Sequence, residues 1–160
     1  MIILQFLGIL YFVKNASALT SGLYDTSRFS LKYTENADSH DFVITSKTGV
    51  TSNVYHAFGL SYDFDKMGDD DVAMCKMNSA GTGAVEHYRN TGKSTPTYLS
   101  SSNPTVGFSN IVVTVVNGQL VCSFSRLKSM SNVANYFDIK TSPSFYILTA
   151  TGTLLANGNL

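Results

Sequence analysis

Residues 111–126, IVVTVVNGQLVCSFSR, constrain the fold more than any other part of this chain. Two runs rich in β-branched residues flank Asn117-Gly118, the pair best suited to the centre of a type I′ turn because both positions tolerate positive φ. The segment is therefore an antiparallel hairpin. In its second strand Leu120, Cys122 and Phe124 share one face and Ser123 and Ser125 the other, so Cys122 points to a core. Residues 29–34, 41–47, 54–61, 71–77, 83–89 and 144–151 carry the same β-branched and aromatic character. Cys75 alternates with Ala73 and Met77 as Cys122 does with its neighbours. Helical periodicity is nearly absent, and only 127–137 is expected to hold a short helix. The stretch 91–110, rich in Ser, Thr, Pro and Asn, reads as the longest loop. Regularly spaced strands with Gly, Asn and Pro turns define an all-β, two-sheet antiparallel sandwich.

Length and charge set the outer bounds. The chain of 160 residues fits one domain, large enough to bury roughly two-thirds of its unfolded surface. Basic and acidic residues balance at eleven each, so no broad field steers the protein to nucleic acid or to an anionic bilayer. Residues 2–13 form an almost unbroken apolar run, and Ala16-Ser17-Ala18 supplies the small-x-small pattern of a signal peptidase site. A signal over 1–18 is therefore expected, cleaved between Ala18 and Leu19, although no Lys or Arg precedes the apolar run. About a dozen apolar residues fall short of the roughly 20 that cross a bilayer. The product, 19–160, is expected to be secreted. In an oxidising compartment Cys75 and Cys122 can pair, which the chain-entropy treatment values at roughly 3 to 4 kcal/mol. Two buried thiols are the alternative.

The run 58–75, FGLSYDFDKMGDDDVAMC, holds the residue hardest to explain by packing. Met67 occupies a glycine turn amid five aspartates, where a thioether gains little from burial but is a soft ligand that haem iron accepts. The alternative role is a plug for the end of the sandwich. Asp63-x-Asp65-x-Met67-Gly68 begins like a calcium loop, but Met67 replaces a ligand and Met74 stands where a bidentate glutamate belongs, so the EF-hand reading fails. A looser calcium site of Asp69, Asp70 and Asp71 stays open beside the simpler reading of a solvated turn. No G-x-S-x-G, H-E-x-x-H, phosphate loop or nucleophilic cysteine is present. No catalytic activity is expected of the chain alone.

The order FGLSYDFDKMGDDDVAMC, YRNTGKSTPT, CSFSR and SFYILTATGTL resembles the DOMON domain, in particular the extracellular module of ferric-chelate reductases, over about 31–160. Its most specific parts are Lys66-Met67-Gly68 with Asp69, Asp70 and Asp71, and Cys122-x-Phe124-x-Arg126. The resemblance implies an immunoglobulin-like β-sandwich that in some members holds a b-type haem between a loop methionine and a histidine near the domain's end. It places the methionine ligand on Met67, with Gly68 letting the backbone approach the porphyrin. It also implies electron exchange with a transmembrane b-type cytochrome; other members are implied to bind sugars or to be adhesive, without haem. Methionine–histidine ligation leaves iron no open site, so such a haem passes electrons. The histidine expected after 146–158 does not occur before Leu160: either this product is a shortened form whose longer relative completes the site, or the domain no longer needs iron. His40, His56 and His87 do not match that position.

Overall fold

The computed structural model describes residues 10–13, 21–49, 52–63, 68–92, 94–140 and 144–155. Met67, most of the expected signal and the turn at 156–158 lie outside the described residues. Eleven strands run in chain order: β1 (Leu10–Val13), β2 (Ser21–Asp25), β3 (Phe29–Glu35), β4 (Ser39–Ser46), β5 (Val54–Ser61), β6 (Asp70–Met77), β7 (Gly83–Asn90), β8 (Thr97–Tyr98), β9 (Phe108–Val116), β10 (Gln119–Leu127) and β11 (Ser144–Thr153). They form a six-stranded sheet, β1-β11-β5-β6-β7-β8, and a five-stranded sheet, β2-β3-β4-β10-β9. Every pairing is antiparallel. β1, inside the segment expected to be a signal, runs along the β11 edge with Leu10 opposite Ile147.

Each of the eight expected strands forms. The hairpin closes as its turn residues dictate: Val116 pairs with Gln119, and Asn117 and Gly118 have φ of 50° and 76°, the two positive values that a type I′ turn needs. Alternation along β3, β4 and β10 sends Phe29, Leu31, Phe42, Ile44, Leu120 and Phe124 inward, where they meet Phe58, Leu60 and Ile147 of the other sheet. Burying each large apolar side chain there is worth about 1.5–3 kcal/mol. Cys75 of β6 and Cys122 of β10 form a disulfide across the sandwich, with Cα atoms 6.0 Å apart.

A second apolar layer lies on the outer face of the six-stranded sheet, where Tyr55, Ala57, Val72, Met74, Tyr88 and Ala150 are buried together. β5 and β6 are thus covered on both sides, and their residues are buried almost continuously rather than alternately. Tyr88 and Tyr98 stack at 4.5 Å over this layer. Glu86 ties its rim, accepting hydrogen bonds from Tyr88 at 2.6 Å and Tyr98 at 3.2 Å and pairing with Lys76 at 2.7 Å.

Three expectations are corrected. Residues 127–137 hold no helix; the chain there is a series of turns pinned by long-range bonds. Lys128 N donates to Asp38 O and Ile139 N to Lys128 O, both at 2.9 Å, and Asn135 takes φ 60°. Those bonds replace the i to i−4 ladder that a helix needs. The stretch 91–110 is not all loop, because β8 pairs with β7 and β9 starts at Phe108. β2 went unseen because Gly22 weakens its strand character. A Cβ on Gly22 would come within 2.5 Å of the Tyr33 ring, so the glycine is what lets Tyr33 cover this edge.

Candidate functional site

The acidic run is neither a solvated turn nor a carboxylate cage, because strand β6 begins inside it and sends its members apart. Asp69 stays at the surface and pairs with Arg89 at 2.6 Å. Asp70 is buried and accepts from the backbone of Gly68 at 3.2 Å and from Asn90 Nδ2 at 3.1 Å. Burial pushes its carboxyl above the usual range, against hydrogen bonds that pull it down. Asp71 points the other way, between the sheets. Among the described residues no group of three or more His, Cys, Asp or Glu side chains could hold a metal ion. The three carboxylates are therefore not brought together as a calcium site.

Asp71 enters a fully buried ionic cluster. Its Oδ2 accepts from Arg126 Nε at 2.9 Å and its Oδ1 faces His87 Nε2 at 2.5 Å. The two terminal nitrogens of Arg126 donate to Leu127 O and Phe137 O, both at 2.7 Å. Its guanidinium lies 4.6 Å from the centre of the Tyr136 ring, a cation–π contact. The other nitrogen of His87 faces Val106 O at 2.6 Å, and the ring stacks on Phe108 at 4.3 Å. Burial alone would raise the Asp71 carboxyl; Arg126 and His87 outweigh it and hold it below the usual range. Burial pushes the Tyr136 hydroxyl up to about 12. Gly107, at φ +78°, admits Tyr136: a Cβ there would lie 2.5 Å from the ring. Arg126 was legible as part of Cys122-x-Phe124-x-Arg126, but its role was missed. The signal was the alternation itself, which carries position 126 to the inner face beside 122 and 124.

The three histidines all belong to the interior. His87 is held at both nitrogens. His56 shares the inner face with Phe58 and tilts against Phe29 at 5.2 Å; burial, with Arg28 nearby, lowers its pKa to about 4. His40 stacks on Phe42 at 6.0 Å. The apolar outer layer, by contrast, holds a shallow recess where Ala57, Gly59 and Ala150 lie among the larger Tyr55, Met74 and Pro96. Gly68 lies at the end of β6, where an added Cβ would make only ordinary contacts, 3.9 Å from the backbone of Thr91 and Gly92. Nothing in the described protein crowds that position. For a porphyrin, then, the described residues supply an apolar sheet face and a glycine at the turn, but no axial nitrogen on that face. The fit of a b-type haem is incomplete on the donor side.

Two antiparallel sheets closed by one inter-sheet disulfide define a β-sandwich module. The DOMON domain profile matches residues 25–152, and the chain belongs to the DOMON family. It is 34% identical over 106 residues to a putative ferric-chelate reductase 1 of Danio rerio, covering 66% of this chain and 17% of the relative. It is likewise 34% identical over 101 residues to ferric-chelate reductase 1 of Homo sapiens, covering 63% and 16%. The chain thus spans about a sixth of the length of the relatives it matches. No solved structure gives a significant match. Among the described residues no helix is long and apolar enough to cross a membrane.

Proposed function

We propose that this chain is the exported DOMON module of a ferric-chelate-reductase-like electron-transfer system, with Met67 offering a thioether to the iron of a b-type haem. The carrying observation is the Met67-Gly68 sequence directly before β6, where Gly68 N donates to the Asp70 carboxylate, in a chain 34% identical to proteins named for ferric-chelate reduction. A thioether ligand favours the ferrous state and so raises the potential of a haem that carries it. The inward-facing histidines supply no second ligand. Its electron partner in this reading is a transmembrane b-type cytochrome. The chain's own contribution is to hold Gly68, next to Met67 in sequence, on the Asp70 carboxylate that Asn90 also bonds, and to offer apolar contact on the outer face of the sheet.

The test supplies the missing nitrogen. Haem added to the purified chain together with imidazole is expected to give a low-spin Soret spectrum, lost or shifted to a bis-imidazole form in Met67→Ala. A protein that stays colourless after haem and imidazole, or a spectrum indifferent to Met67, sinks the proposal. It would leave an extracellular ligand-binding or adhesive module without haem.

A further inference from the structure

At the end of the sandwich remote from Gly68, two recesses of about 260 Å³ each adjoin, sharing Arg28 and Thr151 in their walls. His56 and Leu60 are four residues apart on β5, and Leu60 pairs with Asp71, so this mouth is about 13 Å from the ionic cluster. The mouth is formed by the β2–β3 turn, the start of β5 and the end of β11, all among the described residues.

The side chains here are unlike those of an ordinary polar surface. Arg28 is exposed and has no ion pair among the described residues. Its neighbour Lys47 is already paired with Asp25 at 3.1 Å. The turn that carries Arg28 is fixed, because Thr26 Oγ1 accepts from the backbone of Arg28 at 3.1 Å and of Phe29 at 2.9 Å. His56 is 4% exposed and lines the second recess. The Thr151 hydroxyl donates to Tyr55 O at 3.1 Å and lies 3.0 Å from His56 Nδ1. A hydroxyl has one proton to give, so His56 Nδ1 is the donor in the second contact. His56 Nε2 is then a lone-pair acceptor, with no protein partner among the described residues and not sealed from solvent. The second recess is therefore lined by both a forked cation and a neutral acceptor, with Thr48 and Thr153 in its wall.

We infer that this mouth is a binding site for a small hydroxycarboxylate, whose carboxylate is taken by Arg28 and whose hydroxyl donates to His56 Nε2. The planar guanidinium grips a carboxylate through two parallel N–H bonds, which a neutral polyol does not offer. The imidazole acceptor needs an O–H donor, which a simple carboxylate does not offer. A ligand carrying both groups satisfies the pair.

Isothermal titration of the full chain with citrate and with methyl β-D-glucuronide separates a free hydroxy acid from a uronate on a glycan. Acetate and glucose are the half-ligands. At least one acid is expected to bind about tenfold tighter than both half-ligands. Arg28→Gln, on an exposed side chain, is expected to weaken it at least about tenfold with unchanged circular dichroism and Tm. Thr151→Val, which releases the His56 tautomer, is expected to weaken it several-fold while leaving acetate unaffected. The inference is overturned if neither acid binds, if acetate or glucose binds as well as the acids, or if Arg28→Gln binds unchanged.

Discussion

Replacing Arg126 by Met, a near match in length, tests the ionic cluster most directly. The change leaves Asp71, 4% exposed, as an anion whose only remaining side-chain partner is His87 at 2.5 Å, and it strips donors from Leu127 O and Phe137 O. Breaking a buried pair from one side costs about 3–5 kcal/mol, and each carbonyl left without its donor adds about 1–3 kcal/mol unless water reaches it. Leu127 O keeps the Tyr136 hydroxyl at 2.7 Å, so only Phe137 O is stranded. The sum, about 4–8 kcal/mol, approaches the whole stability of an ordinary domain. In urea, with a slope near 2 kcal/mol/M, the midpoint is expected to fall by about 2–4 M. The companion variant Asp71→Asn/Arg126→Met removes both charges. It is expected to recover at least about 2 kcal/mol relative to the sum of the single changes, which a denaturant cycle on the oxidised protein measures. A loss under 1 kcal/mol in Arg126→Met, or additivity in the cycle, would refute the assignment of Arg126 as the counter-charge of Asp71.

Two further outcomes follow from the same geometry. His56 has its pKa lowered from 6.5 to about 4, so between those values the unfolded chain binds a proton that the folded chain refuses. Its contribution is complete above pH 6.5 and is lost as pH falls towards 4, by about 3 kcal/mol in order of magnitude. His56→Asn is expected to flatten that part of the stability–pH curve, and an unchanged slope would count against the buried neutral ring. Gly107→Ala places a Cβ 2.5 Å from the Tyr136 ring at φ +78°. Strain and ring displacement should together cost about 2 kcal/mol, lowering Tm by roughly 4–8 °C for a chain of this size; an unaltered Tm would show that Tyr136 does not fill that space.

What the sequence disclosed was whatever depends on alternation and turn chemistry. The Asn117-Gly118 hairpin and the inward course of Cys75 and Cys122 need only period two and positive φ, and both formed as expected. The same rule, carried two residues past Phe124 and two before Ala73, brings Arg126 and Asp71 inside. Composition argued against it, since acidic runs and arginines are ordinarily solvated. That conflict was the legible sign of a cluster, and it was not followed. His87, Val106 and Tyr136 could not be found this way, because a carbonyl and a ring that converge on His87 from 106 and 136 leave no pattern along the chain. The helix expected over 127–137 failed for the same reason: its backbone is held by Asp38 and Lys128 rather than by its own neighbours.

The pairing of Asp71 with Arg126 gains its meaning from the disulfide. Cys75 and Asp71 are four residues apart on β6, and Cys122 and Arg126 four apart on β10, counted in opposite directions along the chain. Two cross-links thus join the same pair of strands through the core, about 13 Å apart. Ala73 and Phe124 stand between them on the same inner faces. A one-residue slip of β6 would turn Asp71 and Cys75 to the outer apolar layer and bring Asp70 and Met74 inside. It would break the disulfide and strand Arg126 at once. An ion pair in a core is weak evidence for stability, because packed apolar side chains of equal volume often do as well. Here its use is registry: a covalent bond fixes β6 at Cys75, and the charge pair fixes it at Asp71. With Asp71 held inside, Asp70 falls on the opposite face, where it accepts from Gly68 N. The carboxylates at 70 and 71 thus set the register and the start of β6 rather than gathering round a metal.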